Sequence, residues 1–148
     1  MPLWNVEPIS QRTPDLCWEA CGHMMWNWLY RANPPMQGQY ALKLPGVMNV
    51  VTTTDEAGMD RVYKLLGLRS QKSPTGQNVR GALQTSPVIV TSIEATGGHA
   101  RVVSGYVGGR YSVVDPCADF TNNKCTAGDL QLPQLDIDGK LGTFIWFW

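Results

Sequence analysis

Three residue types in this sequence can combine into acyl-transfer chemistry: a cysteine at a helix start, a histidine opening a strand and an aspartate closing the next one. The cysteine is Cys17, in the stretch Gln11-Arg12-Thr13-Pro14-Asp15-Leu16-Cys17-Trp18-Glu19-Ala20-Cys21, which reads as a loop running into a helix. A helix start offers unpaired backbone N–H groups and the positive end of a dipole, which favours the thiolate that attacks carbonyls. Such a nucleophile needs a base within hydrogen-bond reach, and the base needs an orienting partner. The chain has only two histidines. His23 follows Cys17 by six residues on the same helix, about 600° of turn or roughly 240° net, so the two side chains leave different faces. It reads as a solvated helix histidine near Glu19.

His99 is the better base. It follows Gly97-Gly98, read as a turn, and Asp115 ends the next strand beyond a hairpin turn at Gly108-Gly109. The start of one strand and the end of its hairpin partner lie side by side, so His99 and Asp115 are expected to be neighbours. An acidic partner fixes the imidazole tautomer and stabilises imidazolium. Gln11 can donate its amide to an oxyanion beside the Cys17 N–H. Taken singly, each residue has a plainer reading: a structural strand histidine, a turn aspartate ahead of Pro116, a surface glutamine.

The elements that must position these groups follow from patterning. Residues 1–14 carry three prolines and read as an extended lead-in. A helix is expected over about 15–31, capped by Thr13 with Pro14 at its first position, or by Asp15. Cys17, Cys21, Met24 and Trp28 form one stripe, widened by Trp18, Met25 and Leu29. Glu19, His23, Asn27 and Arg31 form an opposite, wet edge, and the helix stops before Asn33-Pro34-Pro35. Residues 32–53 are irregular. Thr54-Asp55-Glu56 opens a second helix that ends at Gly67, and a short third spans about 77–85. Strands follow at 88–93, 99–106 and 110–115, then a loop over 117–128 and a last strand within 141–148. Helices first and antiparallel strands afterwards give an α+β fold.

Composition excludes several classes. The 148 residues suit one domain, and 43% apolar residues with six tryptophans supply a core, so disorder is not expected. Twelve basic residues balance twelve acidic ones, which leaves no basic patch for nucleic acid or an anionic membrane. No run reaches the roughly 18 apolar residues of a membrane span, and Met1-Pro2-Leu3-Trp4-Asn5 has neither the basic start nor the apolar region of a signal peptide. Four cysteines are too few for a disulfide scaffold. Cys117 and Cys125 bracket a loop-like stretch that a disulfide can close in an oxidising compartment.

Gln11, then Cys17-Trp18 with Cys21 further along the helix, then Gly98-His99-Ala100 ahead of Val102-Val103 and Gly105-Tyr106, then Val113-Val114-Asp115-Pro116, resembles papain-like cysteine peptidases. Within them the pattern is most similar to the compact bacterial AvrRpt2-type effector proteases, and the stretch from Ala82-Leu83 to Pro87-Val88-Ile89-Val90 is similar to their segment before the histidine strand. The resemblance spans about residues 11–116. It implies an N-terminal helical lobe (about 11–86) packed on an antiparallel β-barrel-like sheet (about 87–148), with the cleft between them, in a single domain over 1–148. It implies Cys17, His99 and Asp115 as catalytic residues, Gln11 in the oxyanion hole, and hydrolysis of a protein or peptide substrate through an acyl-enzyme. The chain is short for this fold, so the helical lobe must be trimmed. The expected protein is a monomer without cofactor or metal, a bacterial effector or toxin secreted or delivered without a cleaved Sec signal; a cytoplasmic location is the alternative. Amidases, deamidases and transglutaminases share the Cys–His pair and form the alternative activity. A zinc site built from Cys17, Cys21, His23, Cys117 and Cys125 fits structural spacing poorly, because seven residues separate the second pair. A decayed, non-catalytic binding module is disfavoured by the presence of all four expected residues.

Overall fold

The structure is a computed structural model and describes residues 3–14, 16–30, 56–94, 97–138 and 144–148. In chain order it contains α1 (Cys17–Tyr30), α2 (Glu56–Leu65), β1 (Arg69–Lys72), α3 (Gly76–Ala82), β2 (Val88–Glu94), β3 (Gly97–Val107), β4 (Arg110–Thr121), β5 (Lys124–Pro133), α4 (Gln134–Asp138) and β6 (Phe144–Phe147). The irregular stretch expected over 32–53 lies outside the described residues.

Apolar residues come in pairs along the strands because both faces of the sheet are covered. Ile89, Val102, Val114 and Trp146 join the core under α1 and α2, with Trp18, Met24, Met25, Val62 and Tyr63. Their neighbours Val88, Val90, Val103, Val113 and Ile145 point the other way, against Val79 and Leu83 at α3 and Ile137 of α4. The fold is α+β, as expected, and its six strands form one antiparallel sheet in the order β1-β6-β2-β3-β4-β5. The sheet is open: β1 at one end and β5 at the other do not pair with each other.

Local chemistry accounts for the joints. α2 ends in paired bonds, Gly67 N–H to the Lys64 carbonyl and Leu68 N–H to that of Tyr63, with Gly67 at φ +91°. Only glycine takes that left-handed position cheaply. The hairpin from β3 to β4 turns on Gly108 and Gly109, both at positive φ. Asn122 and Asn123, at φ 55° and 58°, make the same kind of turn from β4 to β5. The stretch 117–128, expected to be a loop, is therefore mostly a hairpin that extends β4 past Pro116. The disulfide Cys117–Cys125 joins its two strands. Arg69–Lys72, for which the sequence shows no alternation, is a strand because β6 offers it a pairing edge. Gly97-Gly98 is not a turn but the start of β3, paired with Glu94 and Ile93 of β2.

α1 departs from expectation at both its start and its wet edge. Its first residue is Cys17, and the Leu16 carbonyl takes the first helical bond from Ala20 N–H, so Leu16 occupies the cap position rather than Thr13; Asp15 lies outside the described residues. Glu19, His23 and Asn27 are buried like the apolar stripe.

Asp138 fastens α4 to the back of the sheet. Its carboxylate accepts from Arg80, Tyr111 and Gln134. Gly76, at the start of α3, lies so close that an added Cβ would meet that carboxylate. Gly76→Ala is expected to destabilise the protein by about 1–3 kcal/mol. Gly81→Ala, whose Cβ would enter open space, is expected to be neutral or stabilising by about 0.5–1 kcal/mol. Urea denaturation of the two variants side by side measures the difference; equal stabilities would contradict the close approach at Gly76.

Candidate active site

Cys17 reaches the site because α1 begins there. As the first helical residue it sits at the positive end of the dipole, among N–H groups that have no helical partner. Its Sγ also accepts the Ala100 N–H at 3.4 Å. The thiol is thereby fixed against β3 by the strand that carries the histidine. Cys21 lies one turn deeper, fully buried, and burial followed by the charges of Cys17 and Asp115 pushes its thiol well up.

The loop before α1 is tied at three points. Arg12 grips Glu19 with two bonds, Nε to Oε1 at 2.8 Å and a second nitrogen to Oε2 at 2.6 Å. The Gln11 N–H donates to the Pro116 carbonyl, next to Asp115, at 3.0 Å. The Gln11 side chain donates through Nε2 to the carbonyls of Thr13 at 2.9 Å and Pro14 at 3.0 Å. Both amide hydrogens of the expected oxyanion donor are thus engaged in its own loop.

His99 and Asp115 meet across β3 and β4. The ladder pairs Val102 with Val114, and continuing it by one step sets Arg101 opposite Asp115, with His99 two residues along on the same face. His99 Nε2 lies 2.9 Å from Asp115 Oδ1. The Cys17 sulfur lies near enough to favour the imidazolium, and with Nε2 on Asp115 the ring nitrogen left for sulfur is Nδ1. Burial pulls the imidazolium down, but Asp115 and Cys17 outweigh it and raise His99 to about 9. Burial pushes the Asp115 carboxyl up; the His99 bond and charge, Arg101 and a backbone N–H overcome this and hold it at about 2.

Two of the groups on Asp115 were not singled out in the sequence. Arg101 donates from Nε to Oδ2 at 2.7 Å, and Cys117 N–H donates to Oδ1 at 2.7 Å. The signal for Arg101 was present in the hairpin register. The Cys117 bond depends on the ladder irregularity between Asp115 and Asp119, which has no sequence signature. Cys117 and Cys125 are joined to each other, which removes two thiols from the zinc reading.

His23 is corrected from a solvated residue to a fully buried one, with no hydrogen-bond partner for either ring nitrogen among the described residues. Burial lowers it to about 4 despite the opposing pull of Glu19.

A thiol at a helix start near a strand-borne imidazole, in this α+β arrangement, is the architecture of papain-like cysteine peptidases, and solved peptidase structures share this fold. A double glycine motif protease from an AMS/PCAT transporter, solved in complex with the leader peptide, aligns with TM-score 0.65 at 16% identity, covering 97% of this chain and 91% of that one. The peptidase domain of Streptococcus ComA, a bifunctional ABC transporter involved in quorum sensing, gives 0.68 at 15%, with 97% of each chain covered. A C39-like peptidase from Bacillus anthracis gives 0.66 at 15%, with 99% and 96% covered. No curated protein matches in sequence. The model for the papain-like cysteine protease AvrRpt2 family matches residues 4–126, and the chain belongs to that family. It is a cysteine peptidase.

The two histidines bear on stability with opposite signs. His23 falls from 6.5 unfolded to about 4 folded, so the unfolded chain binds the extra proton between those values and stability is lost as pH falls through that window. His99 rises from 6.5 to about 9, so its contribution is complete below 6.5 and is lost as pH rises through 9. His23→Gln is expected to flatten the acid side of a urea-midpoint profile, by up to roughly 3 kcal/mol between pH 6.5 and 4. An acid limb identical to that of the parent would contradict the buried, neutral imidazole.

Proposed function

We propose that Cys17, His99 and Asp115 act as a catalytic triad that hydrolyses peptide bonds. The observation that carries this reading is the position of His99, with Nε2 on Asp115 and the ring near enough to Cys17 for the sulfur to favour its imidazolium. The Cys17 thiolate attacks the scissile carbonyl and forms a tetrahedral intermediate. Its oxyanion is held by the Cys17 N–H, free at the helix start, and by Gln11 once one of its two loop bonds is exchanged for the oxyanion. The His99 imidazolium gives its proton to the leaving amine, the C–N bond breaks, and a thioester to Cys17 remains. Neutral His99 then takes a proton from water, whose hydroxide attacks the thioester. The acid is released, and the sulfur leaves as thiolate beside a restored imidazolium. Asp115 orients the ring throughout.

The substrate is proposed to be a peptide or an extended protein segment. The leader peptide bound by a structural relative supports this. The whole chain, 1–148, is read as one peptidase domain working as a monomer without cofactor. A secreted or delivered bacterial effector is the proposed setting. The Cys117–Cys125 disulfide supports an oxidising compartment, and no described helix is long and apolar enough to cross a membrane.

Cys17→Ala and His99→Ala are each expected to abolish turnover of a diverse peptide library, by at least about a thousandfold, with both variants folded by circular dichroism and His99→Ala melting lower because it gives up its pairing with Asp115. Mass spectrometry of the products checks both the loss and the chemistry, since cleaved fragments, deamidated peptides and cross-linked peptides differ in mass. Retained cleavage in either variant would sink the triad. With His99 at about 9, its imidazolium is lost as pH rises through that value, so kcat/KM is expected to decline on the alkaline side near pH 9; a profile still rising there would exclude His99 as the acid.

A further inference from the structure

We propose that Arg101 is a positioning residue for the peptidase: it holds Asp115 Oδ2 so that Oδ1 stays aimed at His99. The inference rests on the triad reading and extends it to a group that touches neither sulfur nor substrate.

The carboxylate of Asp115 is 4% exposed in its side chain. Its donors divide unequally. His99 Nε2 and Cys117 N–H both address Oδ1, at 2.9 and 2.7 Å. Oδ2 receives Arg101 Nε at 2.7 Å. A carboxylate is free to rotate about its bond to Cβ and presents two equivalent oxygens. Donors on one oxygen alone leave that rotation open, and a donor on the other closes it. Arg101 suits this task because Nε projects from a planar, rigid fork, whereas a lysine would supply only a swivelling point charge. The backbone makes the match: one step along the ladder from Val102–Val114 places position 101 across from position 115, and its separation by two from His99 keeps both side chains on the same face.

Two opposed effects follow from removing Arg101. Losing a cation near the imidazolium raises the proton affinity of His99. Losing the grip on Oδ2 lowers it, because the carboxylate turns away or itself takes up a proton. Water cannot readily replace Arg101 on so enclosed an oxygen, so loss of the grip is the larger effect. Among the described residues, the charged and titratable groups around the cluster are Cys17 and Cys21 from α1, Tyr63 from α2, His99 and Arg101 from β3, and Asp115 from β4. None of these others can take over the Oδ2 bond: both cysteines lack a strong donor, the Tyr63 hydroxyl donates to the Trp18 carbonyl, and His99 is already on Oδ1.

The test uses NMR titration of the imidazoles in the full chain. Only two histidines are present, and His23→Gln assigns them. In Arg101→Met the His99 midpoint is expected to fall by about one pH unit or more, and kcat to fall about tenfold to a hundredfold with KM little changed. Arg101→Lys is expected to give a smaller shift in the same direction. On an Asp115→Ala background, Arg101→Met is expected to leave kcat unchanged and to raise the His99 midpoint slightly, since only the loss of a nearby cation then acts. In the single variant, a midpoint that is unmoved or raised, whatever the melting temperature, would overturn the proposal, as would an undiminished effect on the Asp115→Ala background. If Arg101→Met does not fold, the Lys variant decides alone, its midpoint falling or not. The titration needs no substrate. A chain that cleaves no peptide but shows the shift would refute the triad's proposed chemistry and leave the positioning role standing.

Discussion

The arrangement depends on one buried carboxylate. Asp115 is 3% exposed, and an ionised group removed from water to that degree persists only if its oxygens are nearly saturated with donors. Among the described residues it has three, and they come from two structural devices. His99 and Arg101 come from the facing strand, and the Cys117 N–H from its own strand where the ladder with β5 breaks register. The disulfide fastens the irregular stretch itself, at Cys117, to β5. The break in pairing and the crosslink within it are therefore one feature: the irregularity turns an N–H toward the carboxylate, and the crosslink keeps the loosened strand in place.

The same region governs the loop ahead of α1. Pro116, adjacent to Asp115, accepts the Gln11 N–H, and Ser10 accepts from Ala127 on β5. The loop that delivers Cys17 is thus attached to the hairpin that delivers Asp115, while Arg12 pins it to α1 through Glu19. Glu19 serves twice, as the buried partner of Arg12 and as an anion in the first helical turn, where the dipole favours it. Cys17 and Asp115 are held in a common frame, with the His99 ring on Asp115. Packing on both faces of the sheet makes that frame stiff, because β3 and β4 contribute alternate residues to two separate cores. A shift of either strand would disturb both at once.

Gln11 shows how such a frame can store a functional group. Its Nε2 hydrogens close the loop on Thr13 and Pro14, while its buried Oε1 has no partner among the described residues. An amide with both hydrogens on carbonyls cannot stabilise a third oxygen without giving one up. The exchange favours a negatively charged oxyanion over a neutral carbonyl, because charge-assisted bonds are roughly twice as strong. The developing charge of the transition state, rather than the ground-state substrate, would then recruit the second donor. That is the differential binding on which rate acceleration rests.

Legibility in the sequence follows the range of the interaction. Helical spacing set Cys17 in a first turn and turned His23 away from it, and the Gly108-Gly109 hairpin brought His99 beside Asp115; these rest on local rules of backbone geometry. The burial of His23, Glu19 and Asn27 was not legible, because a polar stripe reads as wet until the elements packed over it are known. β1 escaped notice because four residues, Arg69–Lys72, carry no alternation and exist as a strand only through β6, more than seventy residues away. The continuation of β4 beyond Pro116 escaped because proline usually ends a ladder, yet here it sits in the irregular stretch where no ladder bond is required. Arg101 differs from these: the same hairpin that paired His99 with Asp115 also placed residue 101 directly across from the acid. Searching for the partner of a base found His99 and Asp115. Asking in turn what a buried carboxylate must have on its second oxygen leads, by the same register, to Arg101.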